Sequence, residues 1–228
     1  MKTFLIATRK AHKVGEIRAI LGGEFQFLTL NDFPGAPAVV EDATTFAGNA
    51  TKKSVELAKW LAPRLEPHAT GRFVLADDSG LEVDALNGAP GVHSARFAAV
   101  DHLKDGNTPD ADNNAKLLRL LREVPAAQRT ARFRCVIALT PVEPEPVASS
   151  SPVCAAGYDP GTVRFDGACE GRIDFALRGQ GGFGYDPLFI PNGFEQSFAE
   201  LGEATKNQLS HRAQALGKLQ AWLRRGSS

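Results

Sequence analysis

The segment TFLIATRKAHKVGEIRAILGGEFQFLTL, residues 3–30, changes its hydrophobic period twice. TFLIAT (3–8) is short, apolar and partly β-branched, which is the pattern of a strand. In KAHKVGEIRAILGG (10–23), Val14, Ile17, Ile20 and Leu21 recur at helical spacing, and Gly-Gly stops the run. FQFLTL (25–30) returns to a strand. Strand, helix and strand in that order predict an α/β layer.

The rest of the chain extends the pattern. Residues 31–43, rich in Pro, Gly and acids, read as a loop. Residues 44–65 read as a helix whose Phe46, Ala50, Leu57 and Leu61 share one stripe, with Pro63 marking its end. RFVLAD (72–77) and LEVDAL (81–86) read as two strands flanking a corner at Asp77-Asp78-Ser79-Gly80, and Asn87-Gly88 as a turn. DADNNAKLLRLLREV (110–124) is an amphipathic helix, and TARFRCVIALT (130–140) a strand. The Pro- and Ser-rich residues 141–161 suggest a long, flexible hairpin insertion, not a linker between domains. Residues 162–175 supply one or two strands, 179–187 a loop, LFIP (188–191) a short strand, and 210–225 the closing helix.

The chain has 228 residues, 43% hydrophobic and 23% charged, with 26 basic and 26 acidic side chains. That balance argues against a nucleic-acid-binding surface, which rests on many basic contacts. Three widely spaced cysteines, Cys135, Cys154 and Cys169, form no C-x-x-C, so neither a zinc knuckle nor a redox dithiol is indicated. The apolar run at the N-terminus is too short for a signal peptide, and no stretch reaches the length of a membrane span. The expectation is a soluble cytoplasmic protein without membrane partners.

Five stretches carry residue types suited to chemistry. Thr8, Arg9, Lys10 and Lys13 fall where a strand hands over to a helix, whose unpaired N–H groups and positive potential suit a phosphate. Taken alone they also suit a capped helix with solvated lysines. Asp77 and Asp78, followed by Ser79, place adjacent acids that need a cation or donors, and such oxygen sets suit Mg²⁺. Glu41, or Asp42 beside it, is a further candidate ligand. GGFGYDP (181–187) interleaves Phe183 and Tyr185 with Gly181, Gly182 and Gly184 ahead of Asp186, which suits either a base-stacking platform or a turn with core aromatics. Near Lys206, Ser210 caps the last helix, with His211 and Arg212 in its first turn. Arginine donors match a carbonyl oxygen such as O6 of an oxopurine and oppose the amino group of adenine. Asn49 and Lys53 lie four apart on one helix face, from which Lys53 can reach a phosphate.

In this order the stretches resemble the inosine triphosphate pyrophosphatase family, which includes the Ham1-like proteins. The resemblance rests on Thr8 and Lys13; Glu41, Thr45, Phe46, Asn49, Ala50 and Lys53; Ala76 to Arg96; Gly181 to Pro187; and Ser210 to Leu216. It implies one α/β domain over 1–228: an elongated central mixed sheet with flanking helices, in two lobes with a cleft between them. It also implies a homodimer. The activity implied is Mg²⁺-dependent hydrolysis of ITP, dITP and XTP to the monophosphate and pyrophosphate. In that scheme Glu41, Asp77 and Asp78 surround the metal, and Asp78 is the base that activates water. Thr8, Arg9, Lys10, Lys13 and Lys53 hold the triphosphate. Phe183 stacks on the base, and Ser79, Gly184, Tyr185, Asp186, Lys206, His211 and Arg212 complete the nucleotide site. The chain departs from the family pattern at Lys10, where Asn is usual, and at Gly48, where Glu is usual. The alternatives are a pyrophosphatase of similar fold acting on modified pyrimidine nucleotides, and a nucleotide-binding module that does not hydrolyse.

Overall fold

The computed structural model describes residues 1–65, 71–102, 106–142 and 161–225. Most of the insertion expected at 141–161 therefore lies outside the described residues. The described chain forms a six-stranded sheet with flanking helices. In chain order the strands are β1 (Thr3–Ile6), β2 (Gln26–Thr29), β3 (Arg72–Val83), β4 (Thr130–Pro141), β5 (Val163–Ile173) and β6 (Phe189–Pro191). The helices are α1 (Ala11–Leu21), α2 (Phe46–Leu61), α3 (Asp110–Leu120), α4 (Phe198–Leu209) and α5 (His211–Arg225). The sheet order is β2-β1-β3-β4-β5-β6. β1 runs parallel to both β2 and β3, whereas β5 and β6 are antiparallel, so the sheet is mixed, as expected.

By internal contacts the chain falls into two compact units. The first holds Met1–Asp78, Val136–Phe165 and Leu216–Ser228, and the second Ser79–Cys135 and Asp166–Ala215. In the first unit, α1 buries Val14, Ile17 and Leu21, and ends where Gly22 takes a positive φ of 84°. The helix α2 starts at Thr45, whose hydroxyl accepts from the Gly48 amide at 3.0 Å. Its stripe buries Phe46, Ala50, Leu57 and Leu61. Leu57 and Leu61 pack with Leu5 of the first strand, with Ala7 just after it, and with Val74 and Ala76 of the third.

The expected corner at Asp77-Asp78 is absent, because β3 runs unbroken from Arg72 to Val83. Ser-Gly makes a turn where its backbone has no ladder partner; inside a largely buried, paired strand the ladder overrides that local preference. The segment expected as a second strand continues only to Val83, then tightens into a 3-10 turn at Asp84–Leu86. Asn87 follows in the left-handed conformation, with Gly88 also at positive φ, which is the turn the sequence predicts.

The second unit packs Leu81, Val83, Phe97, Leu117, Phe133 and Tyr185, among others, into one core. The fourth helix is absent from the sequence expectations, although Ser197 and Glu200 form a capping box at its start. Strand five docks directly on the first turn of the last helix. A Cβ at Gly167 would lie 2.0 Å from the His211 carbonyl oxygen and 2.7 Å from the Ala215 nitrogen, so only glycine permits this approach. Gly167→Ala is therefore expected to destabilise the protein by about 3 kcal/mol, as overpacking against backbone does. A urea midpoint unchanged from the unsubstituted protein would contradict this contact.

Candidate active site

Side chains of a strand alternate between its faces, so Asp77 and Asp78 project to opposite sides of β3. Val74 and Ala76 pack against Leu57 and Leu61 of α2, and Asp78 continues that face. Asp77 takes the other face and pairs with Lys13 of α1. Lys53, on α2, lies 2.7 Å from Glu41 Oε1 and donates to the backbone carbonyl of Asp77 at 3.3 Å. The sequence thus brings five candidates together in the first unit: Lys13, Glu41, Lys53, Asp77 and Asp78. Three carboxylates against two ammonium groups leave one net negative charge.

Asp78 is the unusual member. It is buried, and its Oδ2 makes no hydrogen bond among the described residues. Burial raises its pKa from 3.8 to about 6; Lys53 and Lys13 oppose the rise and Glu41 adds to it. Asp77, also buried, instead has an ammonium partner. Among the described residues no three acidic, imidazole or thiol side chains form a ready-made metal cage. The donor set still fits a hard cation. Magnesium is bound through one or two carboxylates together with substrate phosphates, and the orphaned Asp78 oxygen is a buried acceptor of that kind.

Around this cluster the first strand ends in a tight turn. The Thr8 hydroxyl accepts from the Lys10 amide at 3.1 Å. Lys10 occupies the N-cap of α1 with no side-chain cap bond, and its side chain is exposed. Arg9 reaches the Ala36 carbonyl at 3.5 Å. Asn49 works as a staple, its Oδ1 accepting from the Ala43 amide at 2.9 Å. That staple brings Ala43 over Gly48, where a Cβ would sit 2.7 Å from Ala43 Cβ. In this chain the departure at Gly48 is thus built into the packing of the acidic loop.

The remaining candidates lie in the second unit. Arg212 and His211, in the first turn of α5, are both buried. Ser210 caps α5 through a 3.2 Å bond from the Ala213 amide. His211 stacks on Phe133 at 4.8 Å, and Arg212 donates to the Ser79 hydroxyl at 3.0 Å. Phe183 is half-buried. Tyr185 belongs to the core, with its hydroxyl donating to the Ser94 carbonyl at 2.9 Å. Burial and Asp110 push the Tyr185 pKa up. Lys206 and Asp186 form a buried pair at 2.7 Å, and the ammonium sits 3.8 Å from the Phe183 ring centroid. Asp84 takes a structural role: it accepts from Arg132 at 2.9 and 3.1 Å and from Thr130 at 2.6 Å.

Sequence reasoning missed Asp110 and Asn114, which hold the backbone beside Phe183. A signal existed: Asn113 and Asn114 stand on the apolar stripe of α3 and are buried with Leu117. Amides in such a stripe need partners.

Comparison with known proteins follows the same lines. The Ham1 family model matches residues 4–222. A dITP/XTP pyrophosphatase of Desulforamulus reducens is 46% identical over 222 residues, covering 97% of this chain and 95% of that protein. One from Exiguobacterium sibiricum is 44% identical, covering 96% of each. Among solved structures, a HAM1 protein from Coxiella burnetii matches with a TM-score of 0.77 at 34% identity, over 99% of this chain and 100% of that one. A Mycobacterium abscessus structure described as a nucleoside-triphosphatase / dITP/XTP pyrophosphatase gives 0.68 at 34% identity, over 95% and 98%.

The buried Asp78 carries a stability consequence. Its proton is held to about pH 6 in the folded protein and only to the ordinary 3.8 when unfolded. Stability therefore falls as pH rises through that window and stays lowered above it. In EDTA, Asp78→Asn is expected to be more stable by up to about 3 kcal/mol at pH 7.5, with the gain gone by about pH 4. Urea melts across pH check this; an equal gain at both pH values would contradict the assigned burial cost.

Proposed function

Because the chain belongs to the Ham1 family, we propose that it hydrolyses non-canonical purine nucleoside triphosphates, ITP, dITP and XTP, to the monophosphate and pyrophosphate. The relatives named dITP/XTP pyrophosphatase, matched over nearly their whole length, support the activity. The observation that carries the mechanism is Asp78: a buried carboxylate with an unpartnered oxygen, flanked by lysine-paired acids.

Hydrolysis here needs little covalent help. A water oxygen bonds to the α-phosphorus, the bond from that phosphorus to the bridging oxygen breaks, and pyrophosphate leaves. The proton from the water goes to Asp78. In the metal-free protein a pKa of about 6 makes Asp78 a stronger base than an ordinary aspartate while leaving it mostly ionised at neutral pH. Lys13 and Lys53 hold the triphosphate with Thr8, Arg9, Lys10 and the N-terminal amides of α1. They offset charge that spreads over the phosphate oxygens as the bond breaks. Asp78 and Glu41, on the α2 side of β3, would hold Mg²⁺, which would supply further charge neutralisation; Asp77, on the other face with Lys13, would act on it only through space.

The base is the second recognition problem. Phe183 offers a half-exposed ring for stacking, backed by the Lys206 ammonium. Gly184, Tyr185 and Asp186 shape that loop. Ser79, His211 and Arg212 complete the nucleotide site; an arginine there favours a purine with a carbonyl at C6 over one with an amino group. The protein we propose is a homodimer acting in the cytoplasm. Among the described residues no helix is long and apolar enough to cross a membrane.

Initial rates of pyrophosphate release decide this reading. ITP, dITP and XTP should turn over far faster than ATP or dUTP, with activity lost in EDTA and restored by Mg²⁺. Asp78→Asn should lower kcat on the order of 10²–10⁴-fold while ITP still binds. Equal rates with dUTP and ITP, or a near-normal kcat in that variant, would refute the substrate or the base assignment respectively.

A further inference from the structure

We infer that Asp110 and Asn114, one turn apart on α3, are positioning residues for the base-stacking loop and thereby set affinity for the purine. The inference rests on the reading of Phe183 as the stacking surface. Both peptide groups of the next residue are anchored on this one helix. The Gly184 amide donates to Asp110 Oδ2 at 2.6 Å, and the Gly184 carbonyl accepts from Asn114 Nδ2 at 2.8 Å. Residues four apart on a helix share a face, so the pair grips a single glycine like two jaws. Gly184 sits at φ +61° with open space where a Cβ would point, so its conformation, not crowding, is what the jaws hold.

Phe183 is fixed on the other side by a separate set of groups. Its amide donates to Asp186 Oδ2 at 2.9 Å, and the same oxygen accepts from Lys206 at 2.7 Å. Successive amides, those of Phe183 and Gly184, therefore run to two different carboxylates. The ring carried between them has its direction set at both ends.

The chemistry of the two side chains points to positioning over simple packing. Asp110 is exposed, in the first turn of α3, where the helix dipole already favours its charge. Stability alone does not require it to reach across to Gly184. Asn114 is buried, and only its nitrogen can donate to the carbonyl, which leaves Oδ1 without a partner among the described residues. An unsatisfied buried acceptor is costly, and a leucine in this apolar stripe would avoid that cost. Among the described residues its one side-chain hydrogen bond is the one to Gly184.

The test uses the full chain with ITP as substrate and pyrophosphate as a competitive inhibitor that lacks a base. Asp110→Ala should raise KM for ITP on the order of tenfold, with kcat within about twofold and the inhibition constant of pyrophosphate unchanged. Asp110→Asn, which still offers an acceptor oxygen, should restore KM. Asn114→Leu should raise KM in the same way without lowering Tm. Hydrolysis of ITP with an unshifted KM in Asp110→Ala overturns this inference alone. So does a KM that rises in step with the pyrophosphate constant and a fallen Tm, because that is a structural defect. Absence of ITP hydrolysis by the unsubstituted protein overturns the functional reading and this inference with it.

Discussion

Alternation along β3 is the constraint from which the chemistry of the first unit follows. Two neighbouring aspartates on an extended backbone cannot share a face, so they are given different surroundings. Asp77 faces α1 and is neutralised by Lys13. Asp78 faces α2, where Lys53 and Glu41 act on it through space and its Oδ2 has no donor. One carboxylate becomes a fixed anion in an ion pair and the other a base of raised pKa. Identical residues acquire separate tasks because environment, not identity, sets their protonation.

This arrangement trades stability for reactivity. A carboxylate buried without a full set of donors disfavours its own charged state, and the fold carries that cost at neutral pH. The surrounding packing tolerates it. Leu57, Leu61, Val74 and Ala76 are all buried on the same face, and Asn49 staples the acidic loop to α2. Gly48 extends the same economy of space, since the loop lies too close for a side chain there.

In the second unit, backbone groups carry much of the positioning. The loop around Phe183 has no regular structure of its own; carboxylates, an amide and a buried ammonium hold it. The Lys206–Asp186 pair is deeply buried, where desolvation offsets much of the attraction, so geometry is its clearer contribution. It places a cation against an aromatic ring and a carboxylate against that ring's own amide. The close dock of Gly167 on the start of α5 performs the same service for His211 and Arg212.

The first strand–helix–strand unit, the stripe of α2, the cap at Ser210 and the turn at Asn87-Gly88 were all legible in the residues, because each depends on neighbours within a turn or two. So were the residue types that a nucleotide site needs. The unbroken course of β3 was not, since Ser79-Gly80 reads locally as a turn and only ladder partners distant in sequence keep it extended. The burial of Arg212 and the grip of Asp110 and Asn114 on Gly184 were equally hidden, whereas a turn with core aromatics, as Tyr185 is, was one of the readings the residues allowed. Periodicity and caps are short-range properties that a linear chain displays directly. Burial, and the pKa that burial imposes on Asp78, arise from contacts between segments far apart in sequence, so they come into being only when the chain is folded.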